Sequence, residues 1–335
     1  MEHSVAAYAD EVMMAGQLAA ALEVSAWPKP GNVHRFSDYP HKHFEHFIAG
    51  SIAMGPALRE AAVLGGSLGL FQIREDEVKV GRLIKKAVLD VKSWHRGGNT
   101  HLGIALLFIP LAVAAGFTYA RYGTFTPERL RNSAAEVMKN TTSLDAVEVY
   151  EAITIANPSG LSEVSSTKAP DIKDPSYRDS IINEGLTLLD VMKEAEGWDN
   201  VAWELSRGFE ATFTIALPEF LKVYGEAKDI NLATVQTYLK LLASKPDTFI
   251  ARNVGASLKL KLPEAVEVGM VKAEEVMRRA QEVLKLGGAL SEEGRRELQR
   301  MDRELKKAGG ILNPGSTADL TATCLFVAIL CGIRP

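Results

Sequence analysis

From Val5 to Val24 the apolar positions Val5, Tyr8, Val12, Ala15, Ala19 and Leu22 recur every three or four residues, which puts them on one face of a helix. Leu232, Val235, Leu239 and Leu242 repeat the pattern, with Asn231 placed to cap the start. Glu264 to Leu286 predicts another helix, opened by Pro263 and ended by Gly287-Gly288, and Ser291 caps one that runs to about Lys307. The valine-rich piece Ala146 to Ile155 keeps Val147, Tyr150 and Ile153 at helical spacing, and His41 to Phe47 starts a long helix to about Leu70. Nowhere does alternation hold long enough for a convincing strand. The pattern predicts an all-α fold, a single bundle-like domain over residues 1–335. It breaks at about 157–180, a stretch rich in Ser, Pro and charge that suits a functional lid or a linker. Composition does not shift across it, which favours one domain with a long loop.

The 47% hydrophobic share of the 335 residues is ample for a substantial core. A net charge of −4 gives no global basic field for nucleic acid, so any bound anion must meet a local site. Cys324 and Cys331 lie seven apart in an apolar run and read as reduced, buried thiols. Met1-Glu2-His3 lacks the basic start of a signal peptide. The apolar runs Ile104 to Gly116 and Leu320 to Ile333 are too short to span a bilayer and read as buried helices. These features predict a cytoplasmic protein with no membrane partner; self-association stays open.

All seven histidines lie in the first 101 residues, and six of them fall in two loop-like stretches. In the first, two prolines and a glycine stiffen Pro28-Lys29-Pro30-Gly31, and Lys29, Asn32, His34 and Arg35 follow as polar groups suited to a phosphate. His41-Lys42-His43-Phe44-Glu45-His46 packs imidazoles and a carboxylate densely enough for metal ligation or acid–base work, without the His-Glu-x-x-His spacing of zinc proteases. The second stretch, His95 to Gly103, is a glycine turn leading into an apolar helix, with Asn99 or Thr100 as cap and free N–H groups that favour anions. Asn313-Pro314-Gly315-Ser316-Thr317-Ala318-Asp319 repeats that logic, Ser316 and Asp319 having capping-box spacing. Asp247 opens a further helix that carries Arg252.

Taken in order, these stretches resemble the triphosphoribosyl-dephospho-CoA synthase family. The matches are Glu23-Val24, Pro28 to Gly31 with Arg35, His43-Phe44-Glu45, Gly97 to Gly103, Asp247-Thr248 with Arg252, and Asn313 to Leu320. The resemblance implies an all-helical enzyme with a central nucleotide cleft. Such an enzyme takes ATP, displaces adenine at the ribose C1′, and joins the triphosphoribosyl group to the 2′-hydroxyl of dephospho-CoA. It also implies Mg²⁺ on the phosphates. By the same resemblance Lys29, Arg35 and Arg252 hold phosphates, and Gly31, Asn32, His43, Asn99, Thr100, Gly315 and Ser316 contact phosphate or ribose. Glu45, His101 and Asp319 become the catalytic candidates, with Glu45 and Asp247 on the metal.

The chain departs from the family pattern where His34 replaces Asp, Leu102 replaces Lys, Glu45 replaces the Asp of His-x-Asp, and Ser316-Thr317 replaces Gly-Ser. These departures bear on the acceptor. They also motivate two further readings: an N-glycosidase in which water replaces the acceptor, and a nucleotide-binding protein without catalysis. If the stretches form one site, the Asn99–His101 turn and the Asn313–Asp319 turn must meet at one cleft.

Overall fold

A computed structural model of the chain describes residues 2–159, 168–258, 260–262 and 264–335, with side chains from residue 7 onward. In chain order the helices are α1 (Glu2–Ser25), α2 (Phe44–Ala53), α3 (Gly55–Gly69), α4 (Val80–Trp94), α5 (Leu102–Tyr122), α6 (Pro127–Lys139), α7 (Ser143–Ala156) and α8 (Tyr177–Glu184). They continue as α9 (Leu188–Ala195), α10 (Asn200–Ser206), α11 (Leu217–Ala227), α12 (Ile230–Ser244), α13 (Thr248–Ser257), α14 (Glu264–Lys285), α15 (Glu292–Lys306) and α16 (Gly315–Leu330). The described residues form no strand; isolated bridges His34–Ser37 and Tyr39–Lys42 pin the loop between α1 and α2. The all-α expectation is met.

Several boundaries differ from those the pattern predicts. The helix starting near His43 breaks at Met54, because Pro56 has no N–H and sits in the first turn of α3. Asp229, not Asn231, caps α12, accepting from Leu232 N at 2.9 Å. Asn231 is instead spent on the loop after α1, exchanging two hydrogen bonds with the backbone of Trp27. α8 begins at Tyr177, so the long loop is shorter than read; its residues 160–167 lie outside the described residues, as do Pro263 and the side chain of Val5. Ser291 does cap α15, accepting from Gly294 N at 2.8 Å.

Two apolar clusters organise the bundle. The larger gathers α1, α3, α4, α5, α7 and most of α16. The smaller gathers α13, α14 and α15. α12 serves both, turning Ala233 and Leu241 to the first cluster and Val235, Tyr238 and Leu239 to the second. α3 and α5 touch backbone to backbone: a Cβ on Gly65 would sit 1.9 Å from Val113 O, and one on Gly116 2.0 Å from Ala62 O. By length and composition two helical stretches, Phe44–Gly69 and Leu102–Tyr122, could cross a bilayer. The most apolar window of Leu102–Tyr122, longer than the run read from the sequence, is 83% buried by the protein's own helices, as a core helix is. Cys324 is buried in α16 and Cys331 half-buried just after it, and neither is in a disulfide.

Candidate active site

The starts of α5 and α16 both line a cleft of about 1580 Å³, open solvent at its mouth included. Asn99, Thr100, Leu102 and Gly103 line it from the α5 turn and Asn313, Gly315, Ser316 and Asp319 from the α16 turn, with Gly103 and Asp319 side by side. The two turns therefore meet, as a shared site requires. Phe249 and Arg252 of α13 close one end with Trp198 and Asp199, and Tyr150, Ile153, Val191 and Met192 supply an apolar side. Such a mixture, mostly apolar with a few convergent polar groups, is what small-molecule sites present.

Asp319 is the most exposed chemically of these groups. Its carboxyl lines the cleft and has no hydrogen-bond or ion-pair partner among the described residues. Gly103 makes the room, since a Cβ there would lie 2.0 Å from Asp319 Oδ2. Burial raises the Asp319 pKa well above the usual carboxylate range, and the charges of Glu23, Asp247 and Asp199 push the same way. Arg252 pulls the other way, and the net direction favours the protonated carboxyl over the carboxylate. Beside it, Asn32 Nδ2 donates to Asn313 Oδ1 at 2.9 Å, tying the first loop to the α16 turn. Arg252 donates from Nη1 to Asp199 Oδ2 at 2.7 Å, while its buried Nε has no partner among the described residues.

A buried layer holds this wall in place, and it absorbs several residues expected in the cleft. Lys29 is 0% exposed and is paired with Glu23; its Nζ also donates to Glu23 O at 2.9 Å. Burial pushes the Glu23 pKa up and the Lys29 pKa down, and each charge holds the other against that push. Glu23 reaches the cleft but Lys29 does not, so Lys29 is no phosphate contact. Gly31 is likewise structural: its φ is +73°, it donates to Asp302 Oδ1 at 2.9 Å, and a side chain would press on Leu305 and Pro314. His34 Nδ1 accepts from Phe36 N and its Nε2 donates to Asp302 Oδ2 at 3.0 Å, so the ring is a neutral buried strut. Arg35 is exposed and donates to the Ser25 carbonyl, away from the cleft.

Asp247 is saturated rather than available for a metal. It is 0% exposed, and its Oδ1 accepts from Phe249 N (2.8 Å) and Ile250 N (3.2 Å). Its Oδ2 accepts from the backbone and hydroxyl of Thr317, both at 2.7 Å. Four donors fill its four lone pairs. One carboxylate thus caps α13 and, from another helix, also α16; Ser316 is not the cap the spacing suggested. Glu45 and His43 are exposed at the start of α2. With Asp38 they form a group whose donor atoms all lie within 4.8 Å of one another.

The remaining histidines make an ordered array. His43 stacks on His46, and His46 on His95, with centroids 5.2 and 5.5 Å apart. His95 Nδ1 accepts from Gly97 N at 3.1 Å, which leaves the proton on Nε2. Nε2 then donates to Thr100 Oγ1 (2.9 Å), whose own proton goes to His101 Nδ1 (2.7 Å). His101 is 2% exposed, lines a second cavity behind the α5 turn rather than the main cleft, and has its pKa lowered to about 3 by burial. It is a neutral prop under the turn, not a proton donor to the cleft. The N-cap of α5 is His101 rather than Asn99 or Thr100, although Asn99 Oδ1 accepts from Leu102 N at 3.1 Å.

Sequence reasoning missed Lys42, Trp198 and Asp199, which line the cleft, and Asp302, which braces Gly31 and His34. Only the position of Asp199 just ahead of an apolar helix could have flagged one of them, as a cap; it does cap α10.

The family model of ATP:dephospho-CoA triphosphoribosyl transferase (CitG) matches residues 9–334. A 2-(5''-triphosphoribosyl)-3'-dephosphocoenzyme-A synthase from Klebsiella pneumoniae is 26% identical over 326 residues, 96% of this chain and 91% of that protein. A relative from Salmonella gallinarum, named as a probable enzyme of the same kind, is 26% identical over 93% of this chain and 89% of its own length. A crystal structure from Archaeoglobus fulgidus, of a protein assigned to triphosphoribosyl-dephospho-CoA synthase, superposes with a TM-score of 0.59 at 24% identity. It covers 86% of this chain and 100% of its own, and at that identity the likeness concerns the fold.

Proposed function

The chain belongs to the ATP:dephospho-CoA triphosphoribosyl transferase family, and from that premise we propose how its cleft carries out the transfer. The protein is a transferase that takes ATP, releases adenine and passes the triphosphoribosyl group to dephospho-CoA. The observation that carries the mechanism is the half-buried carboxyl of Asp319 beside Gly103, without a partner among the described residues. Breaking the C1′–N bond leaves electrons on adenine and positive charge on ribose. Asp319, held neutral, gives its proton to the departing base, and the carboxylate left behind steadies the cationic ribose. The 2′-hydroxyl of the acceptor then bonds to C1′, and its proton returns the carboxyl to its starting state.

Arg252 contributes the guanidinium that Asp199 holds to the cleft wall, and Ser316, Gly315, Asn99 and Thr100 offer phosphate or ribose the two helix starts that line the cleft. The Asn32–Asn313 amide pair meets ribose or base. Lys29, Gly31 and His101 position these groups from behind. Asp247 does not fit a metal. The Asp38–His43–Glu45 group does offer oxygen and imidazole donors close together, next in sequence to Lys42 and Phe47 of the cleft. It would hold Mg²⁺ and supply charge compensation for the phosphates. Use of ATP and two thiols without a disulfide suit the cytoplasm.

The decisive variant is Asp319→Asn. Adenine release from ATP in the presence of dephospho-CoA should fall by roughly 10²–10⁴-fold, with the KM for ATP little changed. Thermal stability should not fall, because the native carboxyl is already penalised by burial. A variant that keeps its turnover removes Asp319 from the chemistry. Adenine release by the wild-type protein without any acceptor, at the same rate as with it, would replace transfer by hydrolysis.

A further inference from the structure

Lys42 is the one lysine among the residues that line the main cleft. Its backbone is fixed by the paired hydrogen bonds with Tyr39, both 3.1 Å, and Tyr39 is itself anchored through its hydroxyl to Gly31 O at 2.6 Å. The side chain is therefore delivered from a braced hairpin, not from a loose surface loop. The ammonium has no hydrogen-bond or ion-pair partner among the described residues, although the residue is half-buried. Lys42 and Asp319 line the same cleft, and no hydrogen bond or ion pair joins them. A half-buried ammonium without a partner is a ready contact for an incoming anion. The same corner holds the first turn of α5, whose Gly103 and Ile104 line the cleft and whose dipole is positive there. Arg252 is already engaged by Asp199 at the other side.

We propose that Lys42 and the first turn of α5 form the subsite for the phosphate chain of the nucleotide, which sets the donor ribose with its C1′ toward Asp319. The inference rests on the proposed role of the cleft and adds the residue that selects for an oligophosphate. Lys42 is a binding and specificity residue; it exchanges no proton with the substrate.

Inorganic tripolyphosphate and adenosine serve as separate probes, titrated calorimetrically into the full-length protein with and without Mg²⁺. Lys42→Met should weaken tripolyphosphate at least about tenfold, raise the KM for ATP similarly, and leave adenosine affinity and the KM for dephospho-CoA within about twofold. Lys42→Arg should restore most of the tripolyphosphate affinity. Unchanged tripolyphosphate binding in Lys42→Met, or an equal loss for adenosine, overturns the subsite. Both titrations need no turnover, so a protein that binds tripolyphosphate through Lys42 but releases no adenine would fail the transfer mechanism alone.

Discussion

A histidine, a carboxyl and a lysine show how differently single residues behave once buried. His101 sits neutral at the base of the α5 turn with its pKa lowered to about 3, against 6.5 unperturbed. Because the unfolded chain takes up a proton there first, stability is complete above about pH 6.5 and is lost as pH falls toward the folded value. Burial of His34 lowers its pKa too and acts in the same direction. Urea titrations from pH 7.5 to 5 should show stability falling by up to about 1.4 kcal/mol per pH unit per histidine, and His101→Gln should flatten that slope. These roles were only partly legible beforehand. Motif spacing marked Asp319, Asn99, Arg252 and Ser316, which do line the cleft. It also marked Lys29 and Asp247, whose partners Glu23 and Thr317 take up their charge, because spacing records residue type and not what a side chain faces. Lys42 escaped notice for the converse reason: a lysine on a polar hairpin looks solvated. It lies in the same lining as Leu102, which stands where the family pattern has Lys.

Among the elements, periodicity located most helix interiors, and the errors gathered at their ends. Asn231 and Ser316 are good cap residues in good positions, but each is outbid by an aspartate, Asp229 from the same strand of sequence and Asp247 from a distant helix. A cap supplied across the fold leaves no local trace. The same feature makes a test. Asp247→Ala removes four charge-assisted hydrogen bonds and uncaps α13 and α16 together, so it should cost about 3 kcal/mol or more, read as the shift in urea midpoint at constant slope. Asp247→Asn keeps the Oδ1 acceptor for α13 and should recover part of that loss. The α3–α5 contact leaves no mark in the hydrophobic pattern: the missing side chains of Gly65 and Gly116 are what let two backbones touch.

For the molecule as a whole, the two apolar clusters share α12, and α16 places Ala318 in the smaller and Leu325 in the larger. Neither cluster can lose its helices without stripping the other, and we propose that residues 1–335 unfold as one domain. Scanning calorimetry should give a single transition whose calorimetric and van't Hoff enthalpies agree; two resolved transitions would divide the chain. The cleft lies where the clusters meet, which is also why Asp247 matters beyond stability. By fixing where both α13 and α16 begin, that one carboxylate fixes the separation of Arg252 from Asp319. The pair then behaves as a ruler laid along the substrate, with the guanidinium that Asp199 anchors at one mark and the acid at the other. Donors are sorted by reach, and a change at the ruler's joint would blur that selection without altering a single group that touches the substrate.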